Sequence, residues 1–324
     1  MIRLTLLFIL ISHYVFSQSY APAAGENGST AIHFSDSRFV SWAAQINVTR
    51  GFVNIEDTTI EALGDNRASF GDPSLALGPG TSDASDVVSL GDKGVATLIF
   101  DRPIFNGSGP DFAIFENSFS DTYLEFAHVE VSSNGEDFVR FASHSEVQFD
   151  VQIHGFGMTD PRMINNLAGK YRGGYGTPFD LEELIDSAQV DINNITHIRI
   201  IDVVGSIGDS ATFDSFGNKI NEPYSTPYES GGFDLEAVGA INQLLSVEEE
   251  DIKSSFSIFP NPTNSSLTVE NNGKTFTLHV YDSQGKCVLR ESNKTQSIVS
   301  LRPGMYYFKV ISNNNSIINK VIFN

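Results

Sequence analysis

The sequence predicts an all-β protein: a jelly-roll β-sandwich followed by a small Ig-like β-sandwich. Three observations predict it. Short runs rich in Val, Ile and Phe recur, such as "GVATLIF" (Gly94–Phe100) and "HIRIIDV" (His197–Val203). Clusters of Gly, Asn, Asp and Pro separate these runs. Only "DLEELIDSA" (Asp180–Ala188) has helical spacing, through Leu181, Leu184 and Ile185, with Asp180 placed to cap its start.

The elements follow in order. "MIRLTLLFILISHYVFSQ" places Arg3 before the apolar run Leu4–Ile11 and small residues before Gln18. This is the pattern of a signal peptide over residues 1–17, and the run is too short to span a bilayer. "DFAIFEN", "FAHVEVS" (Phe126–Ser132) and "DFVRFAS" (Asp137–Ser143) read as strands. Asn134-Gly135 between the last two tolerates the positive φ of a hairpin turn. "GGFDLEAVGAI" (Gly231–Ile241) reads as the strand that closes the first domain, 19–243. The acidic run Glu248–Asp251 marks a linker over 244–255. Beyond it, alternating strands with turns at Ser283-Gln284-Gly285 and Arg302-Pro303-Gly304 make the second domain, 256–324.

Charge divides the chain at the same place. Residues 19–243 hold 33 acidic and 11 basic side chains, a net of −22, whereas 252–324 hold 3 and 8, a net of +5. The acidic part repels phosphates, which excludes nucleic acid as a partner. It suits cations and neutral ligands. The single cysteine, Cys287, excludes an internal disulfide.

"FSIFPNPTNSSLTVE", "YDSQGKC", "LRPGMYYFKV" and the tail with Lys320 resemble the C-terminal sorting domain of the type IX secretion system of Bacteroidetes. The resemblance implies contact with that secretion machinery and delivery to the outer-membrane cell surface or the medium, after removal of the signal peptide and often of the sorting domain. "YAPAAG", "DFAIFENSF", "NNLAGKYRGGYGTPFDL" and "SGGFDLEAVGAIN" resemble a family of secreted bacterial cell surface proteins. Its strand pattern is similar to galactose-binding-like jelly rolls, which implies a location and a fold more than an activity.

The run "DFAIFEN" ends in a carboxylate and an amide. Phe112, Ile114 and Glu116 share one face of a strand, and Asp111, Ala113, Phe115 and Asn117 share the other. A carboxylate ending an apolar face must be paired, protonated or bound to a cation. Asp234 and Glu236 sit on the closing strand. Structural calcium, which takes six to eight oxygen ligands, is therefore expected at Asp111, Glu116, Asn117, Asp234 and Glu236. The competing reading pairs Glu116 with Arg102 or Arg140 and leaves Asp234 and Glu236 facing solvent. His33, His128, His144, His154, His197 and His279 show no close paired spacing, which argues against a transition metal.

Ligand contact is expected on the long connection Ser143–Phe179. Tyr171 and Tyr175 lie among glycines there, with Asn165, Asn166 and Arg172 beside them. Aromatic faces and amides suit sugar rings. The competing reading packs the tyrosines back on the sandwich, as Trp42 is expected to pack. No nucleophile elbow, zinc-protease or P-loop pattern is present. The function expected is an exported surface protein that binds a glycan without catalysis. The alternatives are capture of a scarce nutrient such as a corrinoid for an outer-membrane transporter, a carboxylate-dependent polysaccharide hydrolase or lyase, and an adhesin.

Overall fold

The computed structural model describes residues 20–81, 83–243, 256–271, 273–312 and 315–324. The expected signal peptide and linker lie outside the described residues. The chain divides into two compact units, Met1–Leu244 and Leu245–Asn324. Among the described residues no helix is long and apolar enough to cross a membrane.

The first unit is built from short strands. They are β1 (Ile32–His33), β2 (Ser41–Trp42), β3 (Gln45–Thr49), β4 (Val88–Ser89), β5 (Val95–Ile104), β6 (Phe112–Glu116) and β7 (Ala127–Ser132). There follow β8 (Val139–Arg140), β9 (His144–Ser145), β10 (Ile164–Asn165), β11 (Tyr175–Phe179), β12 (Ile195–Asp202) and β13 (Asp234–Ala240). One sheet has the order β1-β11-β6-β13-β2, with β4 also on β13; the second has the order β3-β5-β12-β7-β8. Pairing in both is antiparallel.

The two sheets share one core. Leu98, Val129, Val131, Ile198 and Ile200 of the second sheet cluster with Phe112, Ile114, Leu235 and Val238 of the first. Each fully buried side chain of this size contributes about 1.5–3 kcal/mol. The opposite face of the first sheet is covered too. Ala113, Phe115 and Ala237 form a second cluster with Ile32, against Phe34, Phe39 and Trp42. Trp42 lies 4.9 Å from Phe39 and 5.5 Å from Phe115, ring centroid to centroid. So β6 is buried on both faces, and its run "FAIF" is continuous rather than alternating for that reason.

Local chemistry sets the turns. Between β7 and β8, Gly135 has φ +78°, and the Asn134 side chain accepts the backbone N–H groups of Glu136 and Asp137, both at 2.9 Å. The expected helix is shorter than its pattern: a 3-10 turn spans Leu181–Leu184, capped by Asp180. Leu181 and Leu184 are its buried anchors, while Ile185 is exposed. Two anchors do not offset the cost of nucleating a longer helix.

The second unit holds β14 (Ser257–Phe259), β15 (Leu267–Glu270), β16 (Phe276–Asp282), β17 (Cys287–Lys294), β18 (Gln296–Val299), β19 (Gly304–Ser312) and β20 (Asn315–Phe323). They form a three-stranded sheet β14-β15-β18 and a four-stranded sheet β17-β16-β19-β20. Leu267, Val269 and Val299 of the first pack with Leu278, Val280, Phe308 and Val310 of the second. Gly285, at φ +80°, turns β16 into β17, and Cys287 is exposed.

Candidate functional site

Glu116 closes β6 and is 2% exposed. Its Oε2 accepts the Ser118 N–H at 2.9 Å. Neither Arg102 nor Arg140 reaches it; Arg140 pairs with Glu130 at 2.8 Å. Burial pushes the Glu116 carboxyl well above its ordinary range, and the neighbouring carboxylates Glu125, Asp234 and Glu236 add to the shift.

Further carboxylates from distant parts of the chain share this environment. Asp202, at the end of β12, accepts the N–H groups of Phe233 at 2.8 Å and Lys93 at 2.9 Å. Glu222 accepts the Phe126 N–H at 2.6 Å, and Asp92 accepts the Ile55 N–H at 2.7 Å. Asp234 accepts the Ser89 hydroxyl, and Glu236 the Thr81 N–H. The Glu125 carboxyl, 7% exposed, lies in the field of Asp234, Asp202 and Asp92. Burial is the largest cause in each case, and it raises Glu125, Asp202 and Glu222 well above the carboxylate range. It raises Asp92, Asp234 and Glu236 to about 7.

Glycines let these groups close up. A Cβ on Gly232, at φ +73°, would stand 2.7 Å from Asp202 Oδ1, and one on Gly205 would stand 2.5 Å from Glu222 Cγ. Among the described residues the cation that acts on Asp234 is Arg50, whose guanidinium is committed to the carbonyls of Phe70, Ser89 and Gly71. The ion pairs among the described residues take Asp36, Glu130, Glu26, Asp160 and Asp121, and none of Asp92, Glu116, Glu125, Asp202, Glu222, Asp234 and Glu236. No group of three or more His, Cys, Asp and Glu side chains among the described residues is arranged to hold a metal ion. The carboxylates therefore share a field without a common centre. At neutral pH this end of the sandwich has to take up positive charge, as protons or as a cation.

An open cleft of about 220 Å³ adjoins Glu236, lined also by Thr81, Asp83, Asn117, Phe119 and Arg172. Asn117 donates to the Ala84 carbonyl at 2.8 Å. Arg172 donates to the Asp121 carboxylate at 2.6 Å and to the Ala24 carbonyl at 2.9 Å.

The structure divides the residues expected at the sites. Asp111 does not join Glu116. It lies just before the start of β6, where its carboxylate accepts the N–H groups of Gly107 and Leu181 and the Asn242 amide, at 2.7–2.8 Å. A strand of five residues carries its two ends too far apart for one ion. Tyr171 is no exposed platform: it is 1% exposed, with its hydroxyl 2.8 Å from Thr30 Oγ1. Tyr175 is half-buried in β11, edge-on to His33 at 5.0 Å and 4.8 Å from the Arg172 guanidinium. Asn165 pairs in β10 with His144. Asn166, at φ +51°, donates to the Ala142 carbonyl and the Glu183 carboxylate. Both asparagines line a second depression of about 210 Å³ with Lys170 and Asp180, whereas Arg172 belongs to the cleft beside Glu236. Asp234 and Glu236 are buried rather than solvent-facing.

The pattern missed Asp92, Glu125, Asp202 and Glu222. The signal was the one already noted at Glu116: a carboxylate set in an apolar run. "LEF" places Glu125 between Leu124 and Phe126, and "IIDVV" places Asp202 among four apolar neighbours.

Comparison with known proteins bears first on the second unit. Residues 257–324 match the family described as the secretion system C-terminal sorting domain. This tail marks the chain for export by the type IX system to the cell surface or the medium. No curated protein matches the chain. Among solved structures, PorZ, a surface component of the type IX secretion system of Porphyromonas gingivalis, is 12% identical, over 28% of this chain and 14% of that one, with a TM-score of 0.21. The β-glucuronidase of Ruminococcus gnavus is 10% identical, over 75% of this chain and 37% of that one, with a TM-score of 0.18. A β-glucuronidase of Parabacteroides merdae is 12% identical, over 87% and 35%, with a TM-score of 0.20. The chain spans well under half the length of each.

Proposed function

We propose that this exported protein is a surface-displayed binding module without catalysis, and that its first unit takes a calcium ion into the carboxylate-rich end of the sandwich. The observation that carries the reading is the gathering of the buried carboxyls of Glu116, Glu125, Asp202, Glu222 and Asp234, with no ion pair to any of these five among the described residues. A hard cation with oxygen ligands would neutralise them together. Glu116, Glu125, Asp202 and Asp234 are its first candidates, and Asp111 is not among them. The side chains would have to draw together around the ion, since they are not arranged for it beforehand. Removal of a signal peptide over residues 1–17 belongs to the same proposal.

The burial of Glu116 and Asp234 supports a structural role for them over a hydrolase pair. No residue of the cleft favours a corrinoid or a transporter partner. The test is thermal melting of the full chain at neutral pH, in chelator and in calcium. Calcium should raise the melting temperature, by about 2.7 kcal/mol of stability at a hundredfold excess over the dissociation constant. An unchanged melting temperature would leave protons as the only counter-charge and overturn the calcium reading. Release of reducing sugar from polysaccharides would overturn the non-catalytic reading.

A further inference from the structure

The cleft beside Glu236 has a chemistry of its own. Its wall carries acceptors (the carboxylates of Asp83 and Glu236), donors on Arg172, and backbone at Gly173 and Gly174. Asp83 Oδ1 accepts the Ser85 N–H and hydroxyl, which leaves its other oxygen without a protein donor among the described residues. At the edge stands Phe119, 77% exposed. Its exposed ring offers an apolar face beside the polar groups of the cleft.

Phe119 is not alone. Its ring lies 5.8 Å from that of Tyr123, whose hydroxyl reaches the Gly155 carbonyl at 3.4 Å. The next residue, Phe156, is 69% exposed and lies 6.4 Å from Tyr228. Two ring pairs, Phe119 with Tyr123 and Phe156 with Tyr228, are thus tied through the Tyr123 hydroxyl and the Gly155 carbonyl.

We propose that the cleft binds one neutral pyranose ring, with the sugar's C–H face on Phe119 and its hydroxyls on Asp83, Glu236 and Arg172. A volume of about 220 Å³ falls below the roughly 300–1,000 Å³ of pockets for drug-sized ligands, which fits a single ring rather than a larger molecule. Stacking on an aromatic face supplies the apolar contact, and carboxylates accept hydroxyl hydrogens. A uronic acid would bring a third carboxylate to Asp83 and Glu236 and is disfavoured by like charge. The inference rests on the first unit being a binding module.

The experiment is titration of the full chain with glucose, galactose, mannose, N-acetylglucosamine and glucuronate at millimolar concentration, followed by ligand-observed NMR, in the presence of calcium. At least one neutral sugar should bind and glucuronate should not. Phe119→Ala should weaken that binding by about fivefold or more, with the melting temperature unchanged because the ring is exposed. Asp83→Asn should weaken it as well. A parallel arm with polysaccharides carrying the same sugar at their ends separates capture of free sugar from attachment to glycans; tighter binding in either arm supports the shared chemistry. The proposal is overturned if no neutral sugar binds in either arm, if glucuronate binds as well as the neutral sugars, or if Phe119→Ala leaves the affinity unchanged. Loss of sugar binding with the calcium response intact refutes this inference alone. An absent calcium response with sugar binding intact refutes the cation reading alone.

Discussion

Asp234→Asn separates the charge of the buried carboxylates from their shape. Burial raises the Asp234 carboxyl from 3.8 to about 7, against the pull of Ser89, Asn117 and Arg50. In chelator, the folded state therefore keeps a proton that the unfolded chain releases between about pH 4 and 7. Stability is highest below the unfolded value and falls as pH rises through that window. Three pKa units at about 1.36 kcal/mol each set a ceiling of about 4 kcal/mol on the loss at pH 8. Asparagine keeps an oxygen for the Ser89 hydroxyl and has no proton to lose. The variant should equal or slightly trail the wild type at pH 5 and exceed it at pH 8. For a domain of this size each kcal/mol moves the melting temperature by about 2–4 °C, so the crossing spans several degrees. Thermal melts of both proteins in chelator, from pH 5 to 8, read it directly. A variant that is less stable by the same amount at every pH would refute the reasoning, because Asp234 would then contribute only a hydrogen bond.

Three other outcomes are expected. Tyr171→Ala should cost about 3–5 kcal/mol of stability, by the cavity it opens in a fully buried site, in chemical denaturation; its sugar affinity, measured where the variant is folded, should stay unchanged. Asp111→Ala leaves the N–H groups of Gly107 and Leu181 without their acceptor, so it should cost about 1–3 kcal/mol yet leave the calcium response of the melting temperature intact. Deletion of 256–324 should hold the protein on the periplasmic side of the outer membrane, checked by surface labelling of whole cells; normal surface display would contradict the role of the tail.

Much of the scaffold was legible. The runs around β5, β6, β7, β12 and β13 are apolar enough to be strands whatever they pair with, and Asn134-Gly135 names its own turn. Glu116 also showed itself, because a carboxylate ending "FAIF" has no cheap place to go. Its partners did not. Asp92, Glu125, Asp202 and Glu222 meet only through topology, and in a chain with so many acidic residues each looks like surface until the fold buries it. Asp111 misled for the opposite reason. It is near Glu116 in sequence, but the extended strand sends the two to opposite ends of the sheet. The glycines around Tyr171 do not present its ring. They admit close packing rather than exposure: a Cβ on Gly169, at φ +81°, would stand 1.8 Å from the Glu125 carbonyl oxygen. Small residues flanking an aromatic ring can present it or bury it, and only the neighbouring strands decide which.

The most direct test of the central claim is calorimetric titration of the full chain with calcium at pH 7.5, repeated in buffers of different ionisation heat. Carboxyls held above their ordinary range must give up protons before they can bind a cation. The account predicts saturable calcium binding whose apparent heat changes with the buffer, because protons are released, and loss of that binding in Glu116→Gln. Absence of saturable binding would contradict it, and so would binding that releases no protons and persists in Glu116→Gln.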